Sequence, residues 1–135
     1  MAIRLDHTIV PAKDKRASAQ FFAEIFGLTV KPGAGYFTQV QVNESLTLDF
    51  ADEAEHWGPE FGSRERQVLH YAFHVSDPEF EAIWARVKAR GLPYGSAPGD
   101  HANGRIYTHR GGRGFYFEDP YGHLLEIMTV PETGS

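Results

Sequence analysis

The chain of 135 residues contains no cysteine. This absence excludes disulfide bonds, metal sites built from thiolates and catalysis by a thiol nucleophile. It also fits the reducing interior of a cell, so we expect a cytoplasmic protein. No apolar run approaches the roughly 20 residues that a membrane-spanning helix needs, and the first residues lack the apolar core of a signal peptide. The composition therefore predicts a soluble protein without a membrane partner.

An excess of positive charge is also missing. The chain has 13 Lys and Arg residues against 18 Asp and Glu residues, which gives a formal net charge of −5. The basic residues do not cluster, so nucleic acid is not an expected partner. Hydrophobic residues make up 41% of the chain, which is ordinary for a globular protein. We expect one domain over residues 1–135.

The chain reads as two similar units, residues 3–51 and 68–130, separated by a charged stretch with glycine and proline that is typical of a linker. Each unit shows a strand pattern, a helix pattern and then three strand patterns. The second unit is longer because it contains a polar loop of roughly residues 97–104 and one additional segment. We therefore predict an α+β fold in which two βαβββ repeats form a cupped, barrel-like mixed sheet with the helices outside.

Both helix patterns have recognisable start and stop residues. Asp14 is predicted to cap the first helix and Gly27 to end it. Asp77 is predicted to cap the second helix, with Pro78 at its first position and Gly91 as the stop. The apolar residues between these limits recur at helical spacing, so one face of each helix is expected to pack against strands.

Two histidines and two acids occupy matching positions in the repeat. His7 and His70 lie on the opening strands, and Asp49 and Glu126 lie on the closing strands between apolar neighbours. A buried carboxylate is costly unless it is paired, protonated or bound to a metal. If a pseudo-twofold axis relates the units, His7, His70 and Glu126 converge into a two-histidine, one-carboxylate site of the kind that suits divalent iron. Asp49 would add a fourth ligand, more typical of a zinc or nickel site.

A structural interpretation of these residues is also open. His7 is expected to share an apolar strand face with Ile3, Leu5 and Ile9. A single histidine in such a place is usually a structural core residue. Two histidines in register with two acids favour a metal instead. His123, in the turn before the last strand, is expected to be exposed to solvent.

The segment from Phe115 to Glu126 reads as two strands joined by a turn of sequence Asp-Pro-Tyr-Gly at residues 119–122. Together with the repeat and the two strand histidines, this segment resembles the vicinal oxygen chelate superfamily. Glyoxalase I, extradiol dioxygenases, fosfomycin resistance thiol transferases and bleomycin-binding proteins belong to it. The resemblance extends from Ile3 to Thr129. It implies a divalent-metal-dependent enzyme that acts on a small substrate with vicinal oxygens, and a homodimer whose sites lie within one chain or across two.

Within this superfamily, the order of residues is similar to that of extradiol dioxygenases. His109, Tyr116, the turn at residues 119–122 and the ligand Glu126 follow each other as they do in those enzymes. This resemblance implies that Tyr116 and His109 hydrogen-bond the substrate oxygens and that His56 transfers a proton. It favours Fe(II) or Mn(II) as the metal, with Zn(II) or Ni(II) as alternatives.

Other activities of the superfamily stay open. Tyr107 stands where the extradiol pattern has a small or branched residue, and Asp49 stands where glyoxalase I has a glutamate. The closing motif is similar to that of the fosfomycin transferases, but the loop before Gly114 carries Arg105, Arg110 and Arg113 in place of an obvious lysine/serine phosphonate site. The basic, glycine-rich stretch at residues 110–114 could still hold an anionic group. The chain could also be a metal-free resistance protein that binds an antibiotic or another flat aromatic ligand. The aromatic residues that would line such a site are Tyr36, Phe37, Trp57, Phe61 and Tyr107.

Overall fold

The structure, a computed structural model, describes residues 3–33, 35–53 and 68–131. These residues form two helices and eight strands, and the strands are arranged in two mixed sheets that are open in the described part of the chain. The chain divides into two compact units, Met1–Gln67 (unit 1) and Val68–Ser135 (unit 2). The predicted α+β class with a repeated unit is confirmed.

Unit 1 contains one helix and three strands in the described residues. Its elements are β1 (His7–Ala12), α1 (Lys15–Phe26), β2 (Thr38–Asn43) and β3 (Leu46–Asp52). The strand order is β1-β3-β2, in which β1 and β3 are parallel and β2 and β3 antiparallel. The strand predicted just after the helix is reduced to a single bridge between Val30 and Val40.

Helix α1 begins and ends at the predicted residues. The Asp14 carboxylate accepts hydrogen bonds from the backbone N–H groups of Arg16 and Ala17 at 3.1 and 3.2 Å. These bonds satisfy two N–H groups that have no partner within the helix. Gly27 ends the helix with a φ of 72°, a left-handed conformation that glycine adopts at little cost. On the buried side of α1, Phe22 packs against the sheet, and its ring centroid lies 6.1 Å from that of Phe50.

Strand β1 leaves His7 exposed and becomes buried toward its end. Ile3 and Leu5 precede the strand and are exposed, whereas Val10 and Ala12 are buried. The prediction that His7 lies on an apolar core face is therefore wrong. Residues of both parities are buried at the end of β1, so burial in this segment depends on position along the strand and not on alternation alone.

Unit 2 follows the same plan with more strands. Its elements are β4 (His70–His74), α2 (Asp77–Ala89), β5 (Tyr94–Gly95), β6 (Tyr107–His109), β7 (Gly112–Glu118) and β8 (Leu124–Met128). The strand order is β4-β8-β7-β5, and β6 also pairs with β7. Strands β4 and β8 are parallel, and β7 and β8 are antiparallel. Neither α1 nor α2, the helices of the described residues, has the length and apolar character needed to cross a membrane.

Helix α2 is capped one residue earlier than predicted. The Ser76 hydroxyl accepts from the Glu79 N–H at 3.3 Å, and the Glu79 carboxylate accepts from the Ser76 N–H at 2.8 Å. This reciprocal pair satisfies two backbone donors and lowers the pKa of Glu79. Asp77 is the first helical residue instead of the cap. Beneath the helix, Phe80 and Phe115 are fully buried, with ring centroids 5.4 Å apart.

The turn between β7 and β8 is held by side chains as well as by backbone. One carboxylate oxygen of Asp119 accepts from the N–H groups of Tyr121, Gly122 and His123 at 2.8 to 3.0 Å. His123 has no exposed surface, and its Nδ1 accepts from the Leu69 N–H at 2.9 Å. The prediction that His123 is exposed is wrong, because its ring joins the turn to the residue that precedes β4.

Candidate metal centre

The strand register of unit 2 places three predicted site residues on one sheet face. Glu126 of β8 is paired with Ala72 of β4 on one side and with Tyr116 of β7 on the other. His70 lies two residues before Ala72 and therefore shares this face. Helix α2 covers the opposite face, where Phe115 is buried, so the centre of this sheet separates an apolar core from a polar face.

His70 and Glu126 form a close pair on this face. The His70 Nδ1 lies 2.9 Å from the Leu124 carbonyl oxygen, and Nε2 lies 3.1 Å from Glu126 Oε1. A carbonyl oxygen only accepts, so Nδ1 carries a proton. The Nε2 lone pair and the carboxylate then need a proton or a cation between them.

The same distance fits two ligands of one metal ion. Two ligands about 2.1 Å from an ion and about 90° apart are separated by roughly 3.0 Å. The His70 Nε2 to Glu126 Oε1 distance is 3.1 Å. A donated Nδ1 proton is also the usual way in which a protein orients a ligating imidazole. The chemistry of this donor pair therefore fits a divalent metal.

Tyr107 contacts the second oxygen of Glu126. Its hydroxyl donates to Oε2 at 2.5 Å, and Glu126 is only 8% exposed. Burial, and then the bond to Glu126, raise the pKa of Tyr107, so its hydroxyl keeps its proton at neutral pH. The two oxygens of Glu126 thus have different partners. In the sequence, Tyr107 stands out only as a departure from a family pattern and as an aromatic residue, so this contact was not predicted.

A glycine makes room for the Tyr107 ring. Gly114 is opposite Tyr107 in the β6–β7 pairing, and a Cβ at this position would overlap the tyrosine ring and lie 2.6 Å from the Ile127 carbonyl oxygen. The Tyr107 ring centroid lies 5.7 Å from that of Tyr116, which lies 6.0 Å from that of His70. A glycine opposite a tyrosine on neighbouring strands was the one sequence signal for this arrangement.

His109 does not join this pair in the described part of the chain. His109 is exposed at the end of β6, and its Nε2 accepts from Arg110 Nε at 3.2 Å. The β6 residue that contacts Glu126 is Tyr107, which lies two residues before His109. His56 lies outside the described residues, as do Trp57 and Phe61. The substrate-binding role of His109 and the proton-transfer role of His56 stay predictions.

Unit 1 carries the other predicted histidine and acid on its polar sheet face. His7 and Asp49 line a pocket of about 340 Å³, together with Gln39 and Thr47. Asp49 is 5% exposed, and its Oδ1 accepts from the Gln39 amide at 3.1 Å. Asp6 lies 2.7 Å from the Nδ1 of His7. This hydrogen bond, together with the charge of Asp49, raises the pKa of His7.

Each unit thus carries one of the two predicted ligand histidines and one of the two predicted acids. Within the described part of either unit, no group of three or more His, Asp or Glu side chains lies close enough to hold a metal. Unit 2 brings His70 and Glu126 together, and unit 1 brings His7 and Asp49 to one pocket. The convergence of His7 with His70 and Glu126 stays a prediction.

Two units of this plan, each with a histidine on its opening strand and an acid on its closing strand, define a protein of the vicinal oxygen chelate type. Residues 4–127 match the model of the Glyoxalase/Bleomycin resistance protein/Dioxygenase superfamily. The chain belongs to this superfamily, and the family predicted from the sequence is confirmed.

Several known proteins are similar over most of the chain. The solved structure of oxidase ChaP-H2 is 43% identical with a TM-score of 0.86, and covers 99% of this chain and 98% of its own. Oxidase ChaP-H1 is 44% identical with a TM-score of 0.84, and covers 98% of this chain and 100% of its own. Glutathione transferase FosA of Serratia marcescens is 27% identical over 123 residues, which cover 91% of this chain and 78% of FosA.

Proposed function

We propose that this protein is a divalent-metal-dependent oxygenase that acts on a small substrate with two neighbouring oxygen atoms, in the manner of an extradiol dioxygenase. The observation that carries the proposal is the pair of His70 Nε2 and Glu126 Oε1, 3.1 Å apart on a sheet face. The similarity to two proteins named oxidases, at 43% and 44% identity, supports an oxidative reaction over the other reactions of the superfamily.

In this proposal His70 and Glu126 hold the metal from unit 2, and His7 completes the set from unit 1. Two imidazoles and one carboxylate leave open coordination positions, a set that favours Fe(II), with Mn(II) as the other preferred ion. The bound metal would supply Lewis-acid activation of a substrate hydroxyl and one-electron chemistry toward oxygen. Asp49 is either a fourth ligand, which would favour Zn(II) or Ni(II), or a neighbour of the site.

The side chains around the proposed metal have separate tasks. The Leu124 carbonyl sets the protonated nitrogen of His70 and so directs Nε2 toward Glu126. Tyr107 holds the Oε2 of Glu126, which keeps Oε1 directed at His70. Tyr116, whose ring lies beside those of His70 and Tyr107, is proposed to hydrogen-bond a substrate oxygen. His109 and His56 are proposed to bind substrate and transfer a proton, respectively.

Metal analysis of protein purified without a chelator or a histidine tag tests the proposal. We expect near-stoichiometric iron or manganese in the wild type and almost none in His70→Ala. The matched control is His74→Ala, because His74 lies on the same strand and its Nε2 lies 3.2 Å from the Thr129 carbonyl oxygen. Metal in the control but not in His70→Ala supports the proposal, whereas equal metal in all three proteins contradicts it.

Activity distinguishes the candidate reactions. Oxygen consumption with catechols by the Fe(II)-loaded protein is the expected result. A glutathione transferase is the second candidate, because FosA is 27% identical over 91% of this chain. Addition of glutathione to an epoxide without oxygen uptake would favour that reaction. A wild-type protein that binds no metal but binds flat aromatic compounds would favour the resistance-protein alternative.

A homodimer with two sites completes the proposal. Because each unit carries one histidine and one acid, a site can be completed within one chain or between two chains. Sedimentation equilibrium of the metal-loaded protein is expected to give twice the chain mass of 15.1 kDa. A monomer that binds metal and turns over substrate would contradict the dimer but not the enzyme. The cytoplasmic location stays a prediction.

A further inference from the structure

A second pocket of unit 1, here termed the α1 groove, lies at the start of helix α1. Its volume is about 610 Å³, which lies within the range of small-molecule sites. Lys15, Arg16 and Lys31 line it, and the described lining residues include no carboxylate. These three side chains give the groove a positive surface, although the whole chain has a formal charge of −5. Such a local charge attracts anions.

One of the three cations is part of the groove's framework. The Lys15 Nζ donates to the Tyr36 carbonyl oxygen at 2.7 Å and lies 4.8 Å from the centroid of the Tyr36 ring. These contacts connect α1 to the segment before β2. Lys15 therefore positions Tyr36, and its charge also contributes to the groove.

The other two cations, Arg16 and Lys31, do not connect elements of the described part of the chain as Lys15 does. Arg16 and Lys31 are exposed, and neither side chain makes a hydrogen bond or an ion pair with a described residue. The acids that contact this end of α1 accept from backbone groups: Asp14 from the Arg16 N–H at 3.1 Å, and Asp52 from the Lys15 N–H at 2.7 Å. They stabilise the helix start without pairing with the side chains of Arg16 and Lys31.

Aromatic surface lies beside these charges. Tyr36 is 40% exposed, and the Phe37 ring meets it edge to face, with centroids 5.0 Å apart. A flat ring can stack on exposed aromatic surface while an anionic substituent reaches a neighbouring cation. The two kinds of surface together suit a ligand that is both aromatic and negatively charged.

We propose that the α1 groove binds an anionic aromatic molecule, with the ring against Tyr36 and the anion at Arg16 and Lys31. Lys31 and Gln39 line both this groove and the pocket that holds His7 and Asp49. Because the two pockets share these residues, we identify the bound molecule with the substrate of the oxygenase. This identification rests on the proposed function, whereas binding of the anion to the groove does not.

Calorimetric titration of the full-length protein with 2-naphthoate and with uncharged 2-naphthamide tests the groove. We expect 2-naphthamide to bind about tenfold more weakly, because it lacks the charge that Arg16 and Lys31 recognise. Arg16→Gln and Lys31→Gln are each expected to weaken 2-naphthoate binding about threefold to tenfold, as for a partly exposed charged contact. Tyr36→Leu is expected to weaken binding of both compounds.

Lys13→Gln is the matched control, because Lys13 is an exposed lysine that precedes α1 and is not among the lining residues. The affinity of this variant for 2-naphthoate is expected to stay within about twofold of wild type, since an exposed charge that does not line the groove is screened by solvent. Equal affinities for the two compounds would overturn the proposal. So would equal losses in Lys13→Gln and Lys31→Gln, which would indicate general attraction to positive charge.

Metal content separates this inference from the proposed function. Lys31→Gln is expected to keep the wild-type metal content, and His70→Ala is expected to lose the metal but still bind 2-naphthoate. Metal binding without selective 2-naphthoate binding would overturn the proposed anion site in the α1 groove and leave the proposed oxygenase function standing. Selective 2-naphthoate binding by a wild-type protein that holds no metal would overturn the proposed oxygenase function and leave the proposed anion site standing.

Discussion

Glu126 has a different partner on each of its two oxygens. Oε1 lies 3.1 Å from the His70 Nε2, and Oε2 accepts from the Tyr107 hydroxyl at 2.5 Å. The residue is 8% exposed, so these contacts act in a medium of lower dielectric than water. The hydrogen bond from Tyr107 fixes the orientation of the Glu126 carboxylate. A mutation of Tyr107 tests this orientation directly.

Tyr107→Phe is expected to lower Mn(II) affinity by about tenfold or more, because outer partners of this kind orient a ligating carboxylate. The free energy of unfolding is expected to fall by about 1 kcal/mol, the usual contribution of one hydrogen bond. Calorimetric titration with Mn(II) and urea unfolding measure the two effects. Tyr94→Phe is the control, since the Tyr94 hydroxyl makes no hydrogen bond to a described residue. Unchanged Mn(II) affinity in Tyr107→Phe would show that Tyr107 does not orient Glu126.

At the scale of elements, the loop between β5 and β6 is attached to β7 by a histidine–carboxylate pair. The His101 Nε2 lies 2.5 Å from the Glu118 carboxylate, and Nδ1 lies 2.9 Å from the Pro98 carbonyl oxygen. Both partners only accept, so both ring nitrogens carry protons. The bond to Glu118, and then the bond to Pro98, raise the pKa of His101. The Asn103 amide also donates to the Ser96 hydroxyl at 2.8 Å, within the same loop.

This pair predicts a pH-dependent contribution to stability. Because the folded-state pKa of His101 is raised, the contribution is complete below the unfolded pKa of about 6.5 and is lost as pH rises through the folded pKa. Glu118→Gln is therefore expected to lower the free energy of unfolding by about 0.5–1 kcal/mol at a pH of about 6, and by less at about pH 9.

Urea unfolding at the two pH values measures this difference. Glu81→Gln is the matched control, because Glu81 pairs with Arg113 at 2.6 Å and arginine stays charged throughout this range. Its effect is expected to be the same at both pH values. An effect of Glu118→Gln that does not decrease toward high pH would contradict a charged His101 in the loop.

At the scale of the whole molecule, the two units repeat one plan. Each has a helix over one sheet face and, on the opposite face, one of the two predicted histidine and acid pairs, namely His7 with Asp49 and His70 with Glu126. A ligand that binds the folded chain and not the unfolded one adds to its stability by mass action. Metal binding is therefore expected to be visible in the unfolding of the entire chain.

Mn(II) at 100 times its dissociation constant is expected to raise the free energy of unfolding by about 2.7 kcal/mol. Thermal unfolding with and without the ion, in buffer freed of other metals, measures this shift. His70→Ala is expected to show no shift, and His74→Ala is expected to keep it. A wild-type protein that neither Mn(II) nor Fe(II) stabilises would argue against the proposed metal site.

Features that depend on neighbouring residues in the chain were predicted correctly. Asp14 and Gly27 bound helix α1 as predicted, because a cap depends on residues within one turn of the helix. Helix α2 was misplaced by one residue, since Ser76 and Asp77 are both good capping residues. The reach of the Glu79 side chain decided between them. The burial of Asp49 and Glu126 agrees with their positions between apolar neighbours.

The sequence by itself determined the repeat, the order of the elements and the strand positions of the two histidines and two acids, because periodicity and spacing carry that information. Only the tertiary structure decided that β1 buries Val10 and leaves His7 exposed, that Tyr107 contacts Glu126, and that His123 is buried. Each of these outcomes depends on contacts between residues far apart in the chain. Local pattern does not encode such contacts, and packing selects among the arrangements that it allows.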